Sequence, residues 1–562
     1  MSTSSKAESY LHFRAPRRHG EILCTASTEE LSAGIAKNSR SLDCSHVSIH
    51  GTALRDVRRQ TRHEIGSLFH VDPSQPWIVG GHQPELFHPG VWLKNFALHQ
   101  MAKQHSAIAL NLVVDHDVCN HVSIRVPSRA ADGALEIETI PWDSSASGVP
   151  WERQFLKDAK LFDTFASRLN STLSHFGFTP LIDSMWGHAL HLRDSGHSVG
   201  HIFATLRHSL ETKHGVHNRE FFSRQLVQST GFRLLLLHLV THRERFRDVH
   251  NLALQHYREA HRIRSTSHPV PDLRKINTEI EIPVWVHTSE DPRRRAVFAG
   301  ANGNQVYLTD QKTTLCSWAR HDSAELILHR LANLDAAGIF LRPRALLTTM
   351  SLRMLLADWF VHGIGGGKYD QLNDRIMASF FDFQPPEFSV ISGTLYFPFE
   401  DVQQSLVSDR TISRDPCFQN YMLFQTAKTT WLDARQLERK HRYHPEKTLP
   451  LSSPDERELL AQKMNLLKAR PVEGSRKQWH QDVERVRNQL AQRVRFSHNE
   501  YSAKIAAAWH ELQQAQLRIS REFSFAVYPE SWLVSRLQAQ AEQCCQMNAK
   551  TTVHTSPQTS PT

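Results

Sequence analysis

Apolar and polar positions alternate between two periods along this chain, and the change of period marks its elements. A short apolar run, Trp77-Ile78-Val79, leads into Gly80-Gly81-His82-Gln83, and a helical pattern begins at Val91. A second run, Ala107 to Val114, ends in Asp115-His116-Asp117-Val118-Cys119-Asn120-His121. The span 77–126 thus reads strand, turn, helix, strand, loop, strand, a βαβ unit that implies a parallel sheet. From about 151 to 264 the pattern is mainly helical, clearest over 221–261 with apolar steps of three and four. Strands follow at 282–287, 296–299 and 305–308, with Asn302-Gly303-Asn304 as a hairpin signal between the last two. Next come a helix over 323–333, a strand at 339–343, a helix from about 348 to 360, a glycine-rich turn at 363–367 and another helix. The α/β pattern therefore resumes after the insertion, and the core is expected to be discontinuous.

The expected organisation is a leader over 1–75, starting a helix at Thr28-Glu29-Glu30, and a core over 76–400 interrupted at about 150–265. A connecting segment covers 401–452, coiled-coil helices 453–546, and a disordered tail 547–562. Ser453-Pro454-Asp455-Glu456 is a capped helix start. A second helix is expected from Ser475 to Ser520, roughly 65–70 Å long. Its apolar positions (Val483, Val486, Leu490, Val494, Tyr501, Ile505, Ala508, Leu512, Ala515, Ile519) form a coiled-coil seam.

Composition narrows the classes. The formal charge is +9, but the 66 basic residues are spread along the chain, which speaks against a nucleic-acid stripe. No apolar run reaches a membrane span and the first ten residues lack a targeting core, so the cytoplasm is the expected location and no membrane partner is expected. Seven scattered cysteines without a Cys-x-x-Cys pair argue against a disulfide framework or a structural zinc site.

Two consecutive strand ends loaded with ionisable groups point to a ligand crevice at the carboxyl edge of a parallel sheet. His82 and His88 flank the first junction, either contacting a transferring group or capping the helix. Asp115, His116, Asp117 and His121 suit a metal by ligand type, or a substrate amine by charge-assisted hydrogen bonds; spacing alone leaves both open. Gly365 and Gly366 offer backbone amides, with Lys368, Arg342 and Arg344 as nearby cations.

Taken together, Gly81-His82-Gln83, Asp115-His116-Asp117 with Asn120-His121, His268-Pro269, Leu341-Arg342-Pro343 and Gly363 to Tyr369 resemble the bacillithiol-synthesis cysteine-adding enzymes, in order and spacing over most of 77–400. The resemblance implies a Rossmann-like parallel-sheet core with connecting-peptide insertions and a C-terminal α-helical coiled coil that mediates homodimers. It implies an amide-forming ligase joining cysteine to a sugar-like amine, glucosaminyl-malate, with ATP as the expected carboxylate activator and no metal assigned. Under it His82, Asp115, His116 and Asp117 are the catalytic candidates. Gly80, Gly81, Gln83, His88, Asn120, His121, Arg342, Gly365, Gly366, Lys368 and Tyr369 are the binding candidates. His82 stands where the family has Gln, and His88-Pro89-Gly90 where it has Thr-Gly-Pro. These departures widen the expected substrates to another amine and another amino acid. A metal-dependent hydrolase built on His82, Asp115, His116, Asp117 and His121 is the alternative.

Overall fold

The computed structural model describes residues 10–146, 148–399, 416–443, 453–469, 475–493 and 498–547. Its centre is a six-stranded sheet in the order Ile22–Cys24, Phe388–Gly393, Trp359–His362, Trp77–His82, Ile108–Val113, Arg219–Phe222. The last five run parallel and the first is an antiparallel edge. Counted along the chain, the five parallel strands lie in the order 5-4-1-2-3. The chain thus runs outward in one direction from Trp77–His82 through Ile108–Val113, then returns to its other side with Trp359–His362. The order therefore reverses between Trp77–His82 and Trp359–His362.

Alternation along the strands divides the interior. Ile78 and Ala109 join one apolar cluster with helix Pro89–Gln104, while Trp77, Val79, Leu110 and Leu112 join the cluster on the other face. Both faces are covered by helices, as buried parallel strands require.

Two strands of this sheet were not anticipated. Arg219–Phe222 lies inside the segment expected to be helical; its Glu220 is neutralised by Arg207 and bonded by Asn111, so a charged stretch is carried in the sheet without an apolar run to announce it. Trp359–His362 falls at the end of the helix expected over 348–360, which in fact stops at Leu355. The intervening Asp358 forms buried ion pairs with Arg58 and Arg62 and accepts from the Trp77 amide, ending the helix and fixing the new strand. Ser123–Arg129, expected as the third strand of the βαβ unit, instead pairs antiparallel with Leu135–Pro141.

A second sheet is antiparallel, in the order Thr314–Ala319, Gln305–Thr309, Arg295–Asn302, Glu279–Thr288, Ile339–Pro343. The expected strands lie within it, and Gly303 takes the positive φ of the hairpin turn.

At the C-terminal end, helices Asn420–Tyr443, Pro454–Lys468, Arg476–Arg493 and His498–Arg518 form a helical arm. The single helix expected over 475–520 corresponds to two described helices; Val494 of the expected seam, residues 401–415 and 444–452 of the connecting segment and the tail beyond 547 lie outside the described residues. Residues 523–545, expected in the coiled coil, return to the core instead. Phe525, Tyr528, Trp532, Leu533 and Leu537 are buried beside Trp92 and Phe96, because this last helix is apolar on the face that meets helix Pro89–Gln104. No helix of the described residues is long and apolar enough to cross a membrane.

Candidate functional site

The strand order reverses between Trp77–His82 and Trp359–His362, and the carboxyl ends of strands at such a reversal are where open parallel sheets bind ligands in a crevice. Gly80 and Gly81 are strand residues and not a turn; a side chain on Gly81 would press on the Leu112 carbonyl at 3.0 Å. His82, at the strand end, is half-buried against Phe87, and its pKa is pushed down to about 3 by burial and by Lys94. His88 is structural. Its Nδ1 accepts from the Gly90 amide at 2.9 Å, capping helix Pro89–Gln104, while Nε2 donates to the Leu395 carbonyl at 3.1 Å. The helix comes so close to the neighbouring strand that a Cβ on Gly90 would lie 1.9 Å from the Gly393 carbonyl oxygen.

The second strand end, after Ile108–Val113, gathers the acids. Asp115 is 6% exposed and its Oδ1 accepts from the Ser223 amide at 3.2 Å. Burial, then the nearby Glu152, push its pKa up to about 7, so it sits near half-protonation at neutral pH. His116 is buried between the hydroxyls of Ser223 and Thr348, and burial lowers it to about 4, leaving it neutral. Asp117 behaves oppositely. Burial raises it, but Arg294 at 3.0 Å, Gln83 Nε2 at 2.6 Å and the Val118 amide outweigh that and hold it ionised. The Gln83–Asp117 bond joins the two strand ends.

Behind the acids, residues 151–152 zip along the loop: the Trp151 amide donates to the Asp117 carbonyl and the Glu152 amide to the Asp115 carbonyl. Arg342 is 1% exposed and grips Glu152 with Nε at 2.9 Å and Nη2 at 2.9 Å, while Nη1 reaches Asp335. Burial opposes the charge on Glu152, yet Arg342 and His287 win and hold it down to about 2. The guanidinium expected to bind an anion is thus already committed to two carboxylates. Arg344 is committed as well, to Glu281, and stacks on Trp285, whose ring also faces Arg294.

The glycine-rich stretch is the first turn of helix Ile364–Phe381, with Gly363 as its cap residue, and not a loop. Gly363 and Gly365 face open space; a Cβ on Gly366 would meet the His362 ring at 2.6 Å, and on Gly367 the Val390 side chain at 2.3 Å. Gly366 and Gly367 therefore serve close packing, and Gly363 and Gly365 leave the helix start uncovered. Lys368 is exposed on the side of His261, its carbonyl accepting from Tyr257. Tyr369 is half-buried, and burial, Asp370 and Asp117 hold its hydroxyl protonated. Asn120 and His121 are exposed on the outer rim, where His121 faces Glu85.

Sequence reasoning passed over Lys94, Glu152, Ser223, Arg294 and His362. His362 ends its strand with Nε2 donating to the fully buried Asp370 at 2.8 Å. Lys94 left a signal: the helix from Pro89 buries residues on every face, and a lysine inside such a helix needs a reason. The others had none: Ser223 and His362 follow or end strands that the pattern hid, and Glu152 and Arg294 come from a short turn and a second-sheet loop that a linear pattern does not bring together.

The five residues of the hydrolase alternative do not converge on one point. Among the described residues one group, His208, Glu211 and Glu220, has ligand atoms within 4.8 Å of one another, and Arg207 already bonds both of its carboxylates. No family model matches the chain, and no curated protein sequence matches it.

Proposed function

We propose that the crevice at the strand-order reversal is the active site of an amide-forming ligase, which condenses an amino-acid carboxyl group with a sugar-like amine. In this reading the core is Rossmann-like with connecting-peptide insertions, and the C-terminal arm is a dimerising coiled coil. The resemblance to the cysteine-adding enzymes names cysteine and glucosaminyl-malate as first candidate substrates, with another amine and amino acid as the paralogue's variant.

One observation carries the reading: a buried carboxyl, Asp115, poised near neutrality beside an ionised Asp117 that Gln83 ties to the neighbouring strand end. Amide formation needs a base to take a proton from the attacking ammonium and a charge to hold it, and the two carboxyls divide those roles. Asp117 holds the amine, Asp115 accepts its proton, and neutral His116 orients the loop through Ser223 and Thr348. Gly363 to Gly366 begin a helix whose start lies open at Gly363 and Gly365, a fit for the phosphates of ATP, which supplies carboxylate activation when bound. Mass spectrometry of the protein with cysteine and glucosaminyl-malate, with and without ATP, tests this: the expected product is heavier by one cysteine residue, and its absence under both conditions removes these substrates.

A further inference from the structure

The crevice holds one buried cation without a counter-charge. Lys94 is 2% exposed, and its ammonium donates to the Gly81 carbonyl. An ammonium carries three protons to donate. Among the described residues no carboxylate pairs with it. Val361 pairs with Gly80, so the parallel register sets His362 beside Gly81 and hence beside this ammonium.

The groups facing Lys94 are His82 and His362 from the two strand ends and Arg207 from helix Val199–Lys213. The acids nearby are already engaged: Asp370 by Arg353 and His362, Glu211 and Glu220 by Arg207, Asp117 by Arg294 and Gln83. Directly after His362 the amides of the helix start at Gly363 add the positive end of a helix dipole. The unspent capacity of the ammonium and of the helix-start amides has one sign. Burying a lysine is unfavourable, and a methionine would fill the same space without that cost.

We propose that Lys94, with the amides of Gly363 to Gly366, is an oxyanion-binding site that takes the carboxylate or phosphate group of a substrate. This rests on the reading that the crevice is the active site, and it names the residue that anchors the anion there. Burial, reinforced by Arg207, lowers Lys94 to about 7, so above neutrality the site is largely uncharged when empty. An arriving anion restores the charge, and binding takes up a proton. His82, lowered to about 3, stays neutral across this range.

Titration calorimetry of the full chain tests this with sulfate as the charge-only probe at pH 8, in two buffers of different ionisation heat. Malate and ATP are the separate carboxylate and phosphate arms. The expected result is proton uptake on binding and an affinity that falls about tenfold per pH unit above 7. K94M keeps its fold, with a melting temperature equal to or above that of the parent, and loses at least about tenfold in affinity together with the proton uptake. Binding by malate alone assigns the site to a substrate carboxylate, and binding by ATP alone to a nucleotide phosphate. Unchanged affinity in K94M, no proton uptake, or no binding of any probe overturns the proposal. Lys94-dependent binding without cysteine-adding product leaves this site standing and removes the ligase reading; undiminished product from K94M does the reverse.

Discussion

The two neighbouring strand ends at the centre of the sheet carry opposite chemistry. After Trp77–His82 lies a buried ammonium without an acid, Lys94, beside neutral His82 and, across the reversal, His362, which Asp370 engages. After Ile108–Val113 lie acids whose counter-charges come from elsewhere: Arg294 and Arg342 both belong to the second sheet or its loops. The first end has capacity left for a ligand's charge. At the second, Arg294 and Arg342 settle part of the charge, the partly exposed Asp117 stays open to an amine, and Asp115 can gain or lose a proton near neutral pH. Under the proposed function, anion holding falls to the first end and proton handling to the second, and the second sheet is a working part of the site.

The strongest way to break this comparison is at the ion pair behind the acids. R342M leaves Glu152 buried without its guanidinium, and the expected loss is about 3–5 kcal/mol in chemical denaturation. A loss below about 1 kcal/mol would mean that the second sheet does not hold the acidic end in place.

D115N acts on chemistry. Turnover is expected to fall at least about 100-fold, the usual scale for a lost general base. Stability moves the other way, and the sign follows from linkage. The native pKa lies above that of the unfolded chain, so the parent's stability falls as pH rises from about 4 through 7, where the unfolded chain ionises Asp115 and the native state resists it. D115N is therefore expected to gain in melting temperature relative to the parent between pH 5 and pH 8. A relative fall over that range would make Asp115 an ionised structural group.

Two smaller changes sharpen the first end. H88A removes a helix cap and is expected to cost about 1 kcal/mol without altering the pH profile of turnover. K368A, on the exposed side near His261, is expected to shift stability by less than about 0.5 kcal/mol and leave kcat and KM within about twofold. A large rise in KM for K368A would move the anion site from Lys94 to the outer face of the helix.

What could be read from the chain followed the strength of its apolar patterning. Trp77–His82 and Ile108–Val113 show themselves because a buried parallel strand is apolar on both faces. Arg219–Phe222 does not, because Arg207 and Asn111 satisfy Glu220 only once helix and strand meet in space. The glycines at 365–367 read as a turn because glycine breaks helices; for Gly366 and Gly367 the reason is the His362 ring and the Val390 side chain, contacts that exist only in the folded chain. Of the candidate residues, Gln83, Asp115, His116 and Asp117 are gathered by the fold, since they end adjacent strands. His88 and Arg342 turn inward to structural partners that a linear reading cannot supply.

The most direct measurement is mass spectrometry of parent and D115N protein incubated with cysteine, glucosaminyl-malate and ATP. The account predicts a product heavier by one cysteine residue from the parent and at least about 100-fold less from D115N at equal folded concentration. Equal product from both would contradict the role given to Asp115, and no product from the parent would contradict the proposed reaction for these substrates.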